Sequence, residues 1–276
     1  MKKMFTIVLA ALMVAALFAG CGSSTAETKA PETTAAAETA TPAETEAAAP
    51  AFTTIEAGKL IMSTNAAFPP YEMVADDGSF EGIDVEIAGA IAKKLGLELV
   101  VDDMDFDAAL LAVQQGKSDI VMAGVTVNED RKLVMNFSDT SSKGVQVVIV
   151  KEGSDVTLDN LGDKMIGAQR GTTGYIYTSD DYGDDHVTAY DNGTSAVQAL
   201  MNGQVDCVVI DSAPAKAFVE ANPGLTILDT EYTSEDYAIG MSKDNTALLE
   251  AINGALKELT EDGTIPAIVE KYIPTK

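Results

Sequence analysis

The chain has 276 residues, 43 of them acidic against 18 basic, for a formal net charge of −25. A surface this acidic does not neutralise phosphates, which excludes simple nucleic-acid binding, and the length admits a leader, a linker and two lobes of roughly 100 residues each. One histidine and two cysteines leave Ser-His-Asp and multi-histidine zinc chemistry without parts, and neither GxxxxGK[ST] nor GxGxxG occurs, so no cofactor is expected.

Lys2 and Lys3 precede an apolar run from Met4 to Phe18, and Ala19-Gly20 leads into Cys21. The run is too short to favour a spanning helix, and its flanks match a secretory signal over residues 1–20. Phe18-Ala19-Gly20-Cys21 resembles a bacterial lipobox, in which Cys21 is diacylated and becomes the first mature residue. The alternatives are an ordinary signal cleaved nearby and an uncleaved anchor. Residues 21–51 are almost entirely Ala, Thr, Glu, Ser and Pro, a composition that buries too little surface to offset ordering entropy. They are expected to form a disordered acidic tether. Cys207, left without a disulfide partner, reads as a buried structural thiol, and His186 as part of a solvated acidic loop, with metal ligation beside Asp184 or Asp185 as the rival.

Lys59 to Ser63 reads as a strand, followed by a loop that Pro69 and Pro70 keep from becoming a helix. Asn65, Phe68 and Tyr71 sit where a binding loop would, the aromatics offering faces to an aliphatic stem and Asn65 a hydrogen bond to its tip. Ile83, Ile87, Ile91 and Leu95 repeat every four residues in an amphipathic helix from Asp84 to about Gly96. Leu97 to Val101 is the next strand. A helix capped by Asp107 then runs to Gly116, with Phe106 as a second aromatic clamp.

Ile120 to Gly124 reads as a buried strand that breaks at Ala123-Gly124 into a Thr-x-x-Glu helix start, Thr126 and Glu129, with Arg131 just inside. Glycine lets a ligand approach the backbone, Thr126 offers a hydroxyl and an amide, and the Arg131 fork matches a carboxylate. The chain then repeats the device. With Gly116 aligned on Gly203, LAVQQGKSDIVMAG falls on QALMNGQVDCVVID, placing Asp119 on Asp206 and Gly124 on Asp211. Two α/β lobes of similar build are implied, with ligand groups at the carboxyl ends of equivalent strands. If the lobes face each other, Arg131 and Asp211 hold the two ends of one zwitterion. Between the copies, Ser142 to Val150 reads as a crossing strand, and Lys164 to Gln169 as a strand running into Arg170-Gly171-Thr172-Thr173-Gly174, a glycine turn opening a helix and hence an anion site. Tyr237 to Met241 reads as the return crossing. Thr246 to Leu259 and Ile265 to Tyr272 are amphipathic helices.

TNAAFPPYE, EGIDVEIAGAIAKKLG, MDFDAALLAVQQGKSDIVMAGVTVNEDRK, FSD and RGTTG, in this order, resemble the extracytoplasmic solute-binding proteins, family 3, of ABC transporters for polar amino acids. The resemblance spans Lys59 to Ile273. It implies a type II periplasmic-binding-protein-like α/β fold, two lobes that are each a mixed sheet flanked by helices, joined by two hinge strands and closing over one ligand. The lobes are expected at residues 52–145 plus 242–276 and at 146–241. Arg131 would hold the α-carboxylate with amides from Thr126 and Thr173, while the Gly124 carbonyl, the Thr126 hydroxyl and Asp211 take the α-ammonium. Ala123, Thr172, Asn65, Phe68, Phe106 and Gln169 would complete the site. The implied partners are an amino acid, a membrane permease with its ATPase, and a membrane reached through the lipid on Cys21, placing the domain outside the cytoplasmic membrane.

Asn65 and Gln169 favour a neutral polar ligand such as glutamine or cystine, whereas Glu72, Asp102, Asp103 and Asp105 would attract arginine or lysine. The rival from another class is a secreted cyclohexadienyl-dehydratase-like enzyme, which needs a general acid for which Glu72 and Asp105 are the candidates, both more simply surface residues. A ligand-sensing subunit on the same scaffold is the third reading.

Overall fold

The computed structural model describes residues 52–229 and 231–274. The signal at 1–20, the tether at 21–51 and Cys21 lie outside these residues. In chain order the elements are β1 (Lys59–Thr64), β2 (Ala67–Phe68), β3 (Glu72–Val74), β4 (Phe80–Glu81), α1 (Ile83–Lys94), β5 (Glu98–Asp103), α2 (Phe106–Gln114), β6 (Ile120–Val121), α3 (Glu129–Val134) and β7 (Met135–Lys151). There follow β8 (Ile166–Gln169), α4 (Thr173–Tyr182), β9 (Val187–Tyr190), α5 (Gly193–Met201), β10 (Cys207–Asp211), α6 (Ser212–Ala221), β11 (Leu225–Ile227), β12 (Thr233–Ser242), α7 (Thr246–Glu261) and α8 (Thr264–Tyr272).

The main sheet runs β5-β1-β6-β12-β7-β10-β8-β9, with β11 on β7. Read from its two ends toward the middle it is the same arrangement twice. β5, β1 and β6 are parallel and end against β12, and β9, β8 and β10 are parallel and end against β7. Parallel strands buried on both faces require apolar runs, which is what Ile120-Val121-Met122 and Cys207-Val208-Val209-Ile210 supply. One core forms between the first set and helices α1 and α7, around Leu60, Ile87, Ile91, Ile239, Met241, Ile252 and Leu256. A second forms between the other set and α5 and α6, around Ile149, Leu200, Val208, Ile210 and Phe218. The result is a two-lobed α/β fold in which only β7 and β12 are long enough to serve both lobes.

The repeated aspartates have a structural role. Asp119 accepts the backbone N–H groups of Ile55 and Ile61, both at 2.8 Å, and Asp206 accepts that of Met165 at 2.8 Å. Each fastens the entry to its own strand to the neighbouring chain segment. Gly116 and Gly203 both adopt left-handed backbone, φ 67 and 72, at the close of α2 and α5, a conformation glycine takes without steric cost.

Several boundaries differ from the sequence reading. The strand β6 pairs only through Val121, because Gly124 turns the chain at φ 56. Asn128, not Thr126, caps α3, accepting the Arg131 N–H at 2.8 Å. The cap position of α2 is Asp105, and Asp107 lies in its first turn. On α7 the core residue is Leu248, with Leu249 only partly buried. Gly240 and Met241 pair with β6, and Tyr237, Ile239 and Met241 pack in the first core. Cys207 is buried, its thiol pushed up to about 12 by burial. Among the described residues no helix is long and apolar enough to cross a membrane, and no group of three or more His, Cys, Asp or Glu is placed to hold a metal.

Candidate ligand-binding site

Where the carboxyl ends of β1, β6, β8 and β10 converge, a cavity is lined by Asn65, Phe68, Phe106, Ala123, Gly124, Thr126, Arg131, Gln169, Thr172, Thr173 and Asp211. The sequence singles out these eleven for a ligand; Tyr71, the other aromatic offered to the ligand's stem, does not line the cavity. Four more line it: Glu72, Gln146, Val209 and Ile210.

Arg131 stands at one end. Its guanidinium is buried, donates to the Thr126 carbonyl at 2.8 Å and to the Gly171 carbonyl at 3.1 Å, and lies 5.4 Å over the Phe106 ring. Burial lowers its pKa, and the charge of Glu235 works in the opposite direction. An uncompensated cation in such a place costs several kcal/mol, so the site is built to receive an anion. Phe106 thus carries the arginine as well as the cavity wall. The N-terminus of α4 faces the same point. Thr172 caps it through the Tyr175 N–H, leaving amides of the first turn without intrahelical partners.

Asp211 stands at the other end, on the second lobe. It is both things the sequence allowed: its carboxylate caps α6 through the Ala213 N–H at 2.9 Å, accepts the Val145 N–H at 2.8 Å, and lines the cavity. Burial raises its pKa, and those two N–H groups oppose the shift. Phe68 stacks on Tyr71 at 5.8 Å, and Tyr71 meets Tyr237 edge-on at 5.7 Å. Gly124 belongs where it is: a β-carbon there would come within 3.0 Å of the Phe68 ring. Hydrogen bonds join the lobes across the cavity, among them Gln169 Nε2 donating to Asn65 Oδ1 at 2.9 Å, Arg131 donating to Gly171, and the Thr126 and Thr173 hydroxyls meeting at 3.3 Å.

The sequence reading placed Glu72 on the surface, and the structure corrects it. Glu72 is fully buried on β3, and neither carboxyl oxygen has a donor. Its neighbour Asp84 accepts the Gly124 N–H at 3.0 Å. Burial, then the charge of Asp84, drives the Glu72 pKa well above the usual carboxylate range, and burial pushes Asp84 up to about 6. Asp105 and Asp107 stay at the rim of α2, and Asp103 accepts the Ala66 N–H at 2.8 Å. Gln146 and Glu235 were missed altogether. The signal for Gln146 was present: within VQVVIV an inward position of an apolar strand is polar.

The model of the family described as bacterial extracellular solute-binding proteins, family 3, matches residues 60–275. A probable histidine-binding protein of Neisseria gonorrhoeae is 34% identical over 235 residues, 82% of this chain and 87% of that protein. An ancestral arginine-binding protein solved with glutamine superposes with a TM-score of 0.75 at 40% identity, over 79% of this chain and 99% of that one. The same ancestral protein type solved with arginine gives 0.74 at 41%, over 78% and 98%.

Proposed function

This chain belongs to the bacterial extracellular solute-binding proteins, family 3, and binds a polar amino acid for an ABC transporter; we propose that it does so by closing the cavity between Arg131 and Asp211 on the two charged ends of one L-amino acid. The observation that carries this is the placement of a buried guanidinium and a buried carboxylate on opposite lobes of one cavity. Arg131, with the amides of Thr126 and Thr173, takes the carboxylate. Asp211, the Gly124 carbonyl and the Thr126 hydroxyl take the ammonium. Phe68 and Phe106 flank the stem, and Asn65, Gln169 and Thr172 meet the tip. The ligand touches both lobes and so favours the closed form by its differential affinity, which is what a permease with its ATPase reads.

The lobes divide where β7 and β12 cross, near residues 144–146 and 236–237. Cys21 carries a lipid and residues 21–51 tether the domain to the outer face of the cell membrane. The hydrogen-bonded Asn65–Gln169 pair supports a neutral tip, as in glutamine or cystine, and the buried Glu72 supports arginine or lysine. A thermal-shift screen of the purified chain against the common amino acids and cystine tests the reading. A ligand at a hundred times its Kd adds about 2.7 kcal/mol, which for a domain of this size raises Tm by about 5 to 10 °C. No response to any of them would overturn it.

A further inference from the structure

Glu235 lies outside the ring of residues expected to touch the ligand, yet it is buried and its contacts join three parts of the molecule. It sits on β12 opposite Gly144 of β7. Its Oε2 accepts the Thr126 hydroxyl at 3.0 Å and the Gln146 amide at 3.0 Å, and its charge bears on Arg131 and on the Tyr177 phenol of α4. A hydroxyl has one proton to give and two lone pairs to receive. The carboxylate can only accept, so the Thr126 proton is committed to Glu235 and points away from the cavity. What Thr126 then presents to the cavity is acceptor only. Thr173, at 3.3 Å, can satisfy it by donating when no ligand is present.

We propose that Glu235 is a positioning residue that holds the Thr126 hydroxyl as an obligate acceptor, and so makes the site selective for acids bearing an α-ammonium over the same acids without one. The inference rests on the zwitterion reading of the cavity. An ammonium donates to the Thr126 oxygen; a ligand with no donor at that carbon leaves it unpaired, and a carboxylate oxygen placed there is repelled. With the Glu235 acceptor removed, the hydroxyl is free to rotate its proton into the cavity, and the discrimination falls.

Calorimetric titration of the purified chain with L-arginine and L-glutamine, each beside its des-amino counterpart, δ-guanidinovalerate and glutaramate, tests this. Glu235→Met should weaken binding of the amino acid roughly ten- to hundredfold, the range for a hydrogen bond to a charged group, and change its des-amino counterpart by less than about threefold. Glu235→Gln, whose amide oxygen takes the place of Oε2 while its charge is gone, should restore the parent preference. Where Glu235→Met does not fold, because it strands the Gln146 donor, the double variant Glu235→Met/Gln146→Met removes donor and acceptor together and reports the same ratio. Equal weakening of both ligand types, or no rescue by Glu235→Gln, would overturn the inference and leave the zwitterion clamp standing. If the parent binds neither L-arginine nor L-glutamine while responding to other amino acids, the ratio is read on the responding amino acid and its des-amino form; a parent that binds no amino acid overturns the clamp and this inference with it.

Discussion

The ends of β6 and β10 are the same device put to opposite uses. After β6 the chain leaves the ladder at Val121, turns at Gly124 and does not enter α3 until Glu129, so a cation ten residues past the strand folds back into the cavity. After β10 there is no connection at all: Asp211 is the last strand residue and the cap of α6 at once. The length of one connection therefore decides whether the strand end presents a long cationic fork or a short carboxylate. Both are buried, but their reserves differ. Asp211 keeps two backbone donors without a ligand, whereas Arg131 keeps two carbonyls, one of them across the cleft on Gly171.

That asymmetry gives the largest expected effects. Arg131→Ala should leave the fold intact and weaken amino-acid binding at least a hundredfold by calorimetry, as for loss of one partner of a buried charge pair. Asp211→Asn should retain the cap, since asparagine caps as well as aspartate, so Tm moves by only a few degrees while affinity falls ten- to hundredfold. A large fall in Tm with affinity unchanged would show that Asp211 serves only α6. The two strand ends should also differ in tolerance of side chains. Gly124→Ala meets left-handed backbone and the Phe68 ring, and should cost about 1–2 kcal/mol of stability together with roughly tenfold in affinity.

A carboxyl pair stands behind the first strand end and has no counterpart at the second. Asp84 and Glu72 have pKa values raised by burial, so the folded state holds their protons more tightly than the unfolded chain. Ionisation of Asp84 therefore subtracts stability as pH rises from about 4 through about 6, ionisation of Glu72 acts in the same direction, and acidification restores it until the unfolded carboxyls also protonate. Tm should rise from pH 7.5 to pH 5. Glu72→Gln, which keeps a donor toward Asp84 without the second charge, should reduce that rise. An unchanged slope would remove the pair from the account. The smallest effect concerns the repeated aspartates. Asp119→Asn forfeits one of two accepted N–H bonds and should cost about 1 kcal/mol, whereas Asp206→Asn, with one such bond, should stay within about 0.5 kcal/mol, both read from denaturant midpoints.

Local pattern was enough for most of the elements and for Arg131, Thr126, Gly124 and Asp211, whereas Ala123, Gln169 and Thr172 were added to the site by the family resemblance. Periodicity located α1 and the parallel strands, and the internal repeat paired Gly124 with Asp211 before any coordinates. What it misjudged were residues whose meaning depends on where a distant strand lies. Thr126 was assigned a capping role because Thr-x-x-Glu is a local signal, and Asn128 holds that position because the chain needs the extra residues after Gly124 to turn. Glu72 looked like surface because a lone carboxylate among loop residues usually is; it is buried instead, and burial, then the charge of Asp84, raises its pKa. Glu235 gave no signal, since a glutamate in a strand of alternating polarity is ordinary until its partner, Thr126, is known to be 109 residues away.

The sequence by itself determined the helices, the parallel strands and the repeat that sets Gly124 against Asp211, because these rest on periodicity, propensity and apolar runs along the chain. Only the tertiary structure decided which carboxyls are buried near one another and which acceptor takes the Thr126 proton. Hydrogen-bond direction and the cost of a buried charge depend on the few ångströms between groups far apart in the chain, and no local pattern encodes that distance.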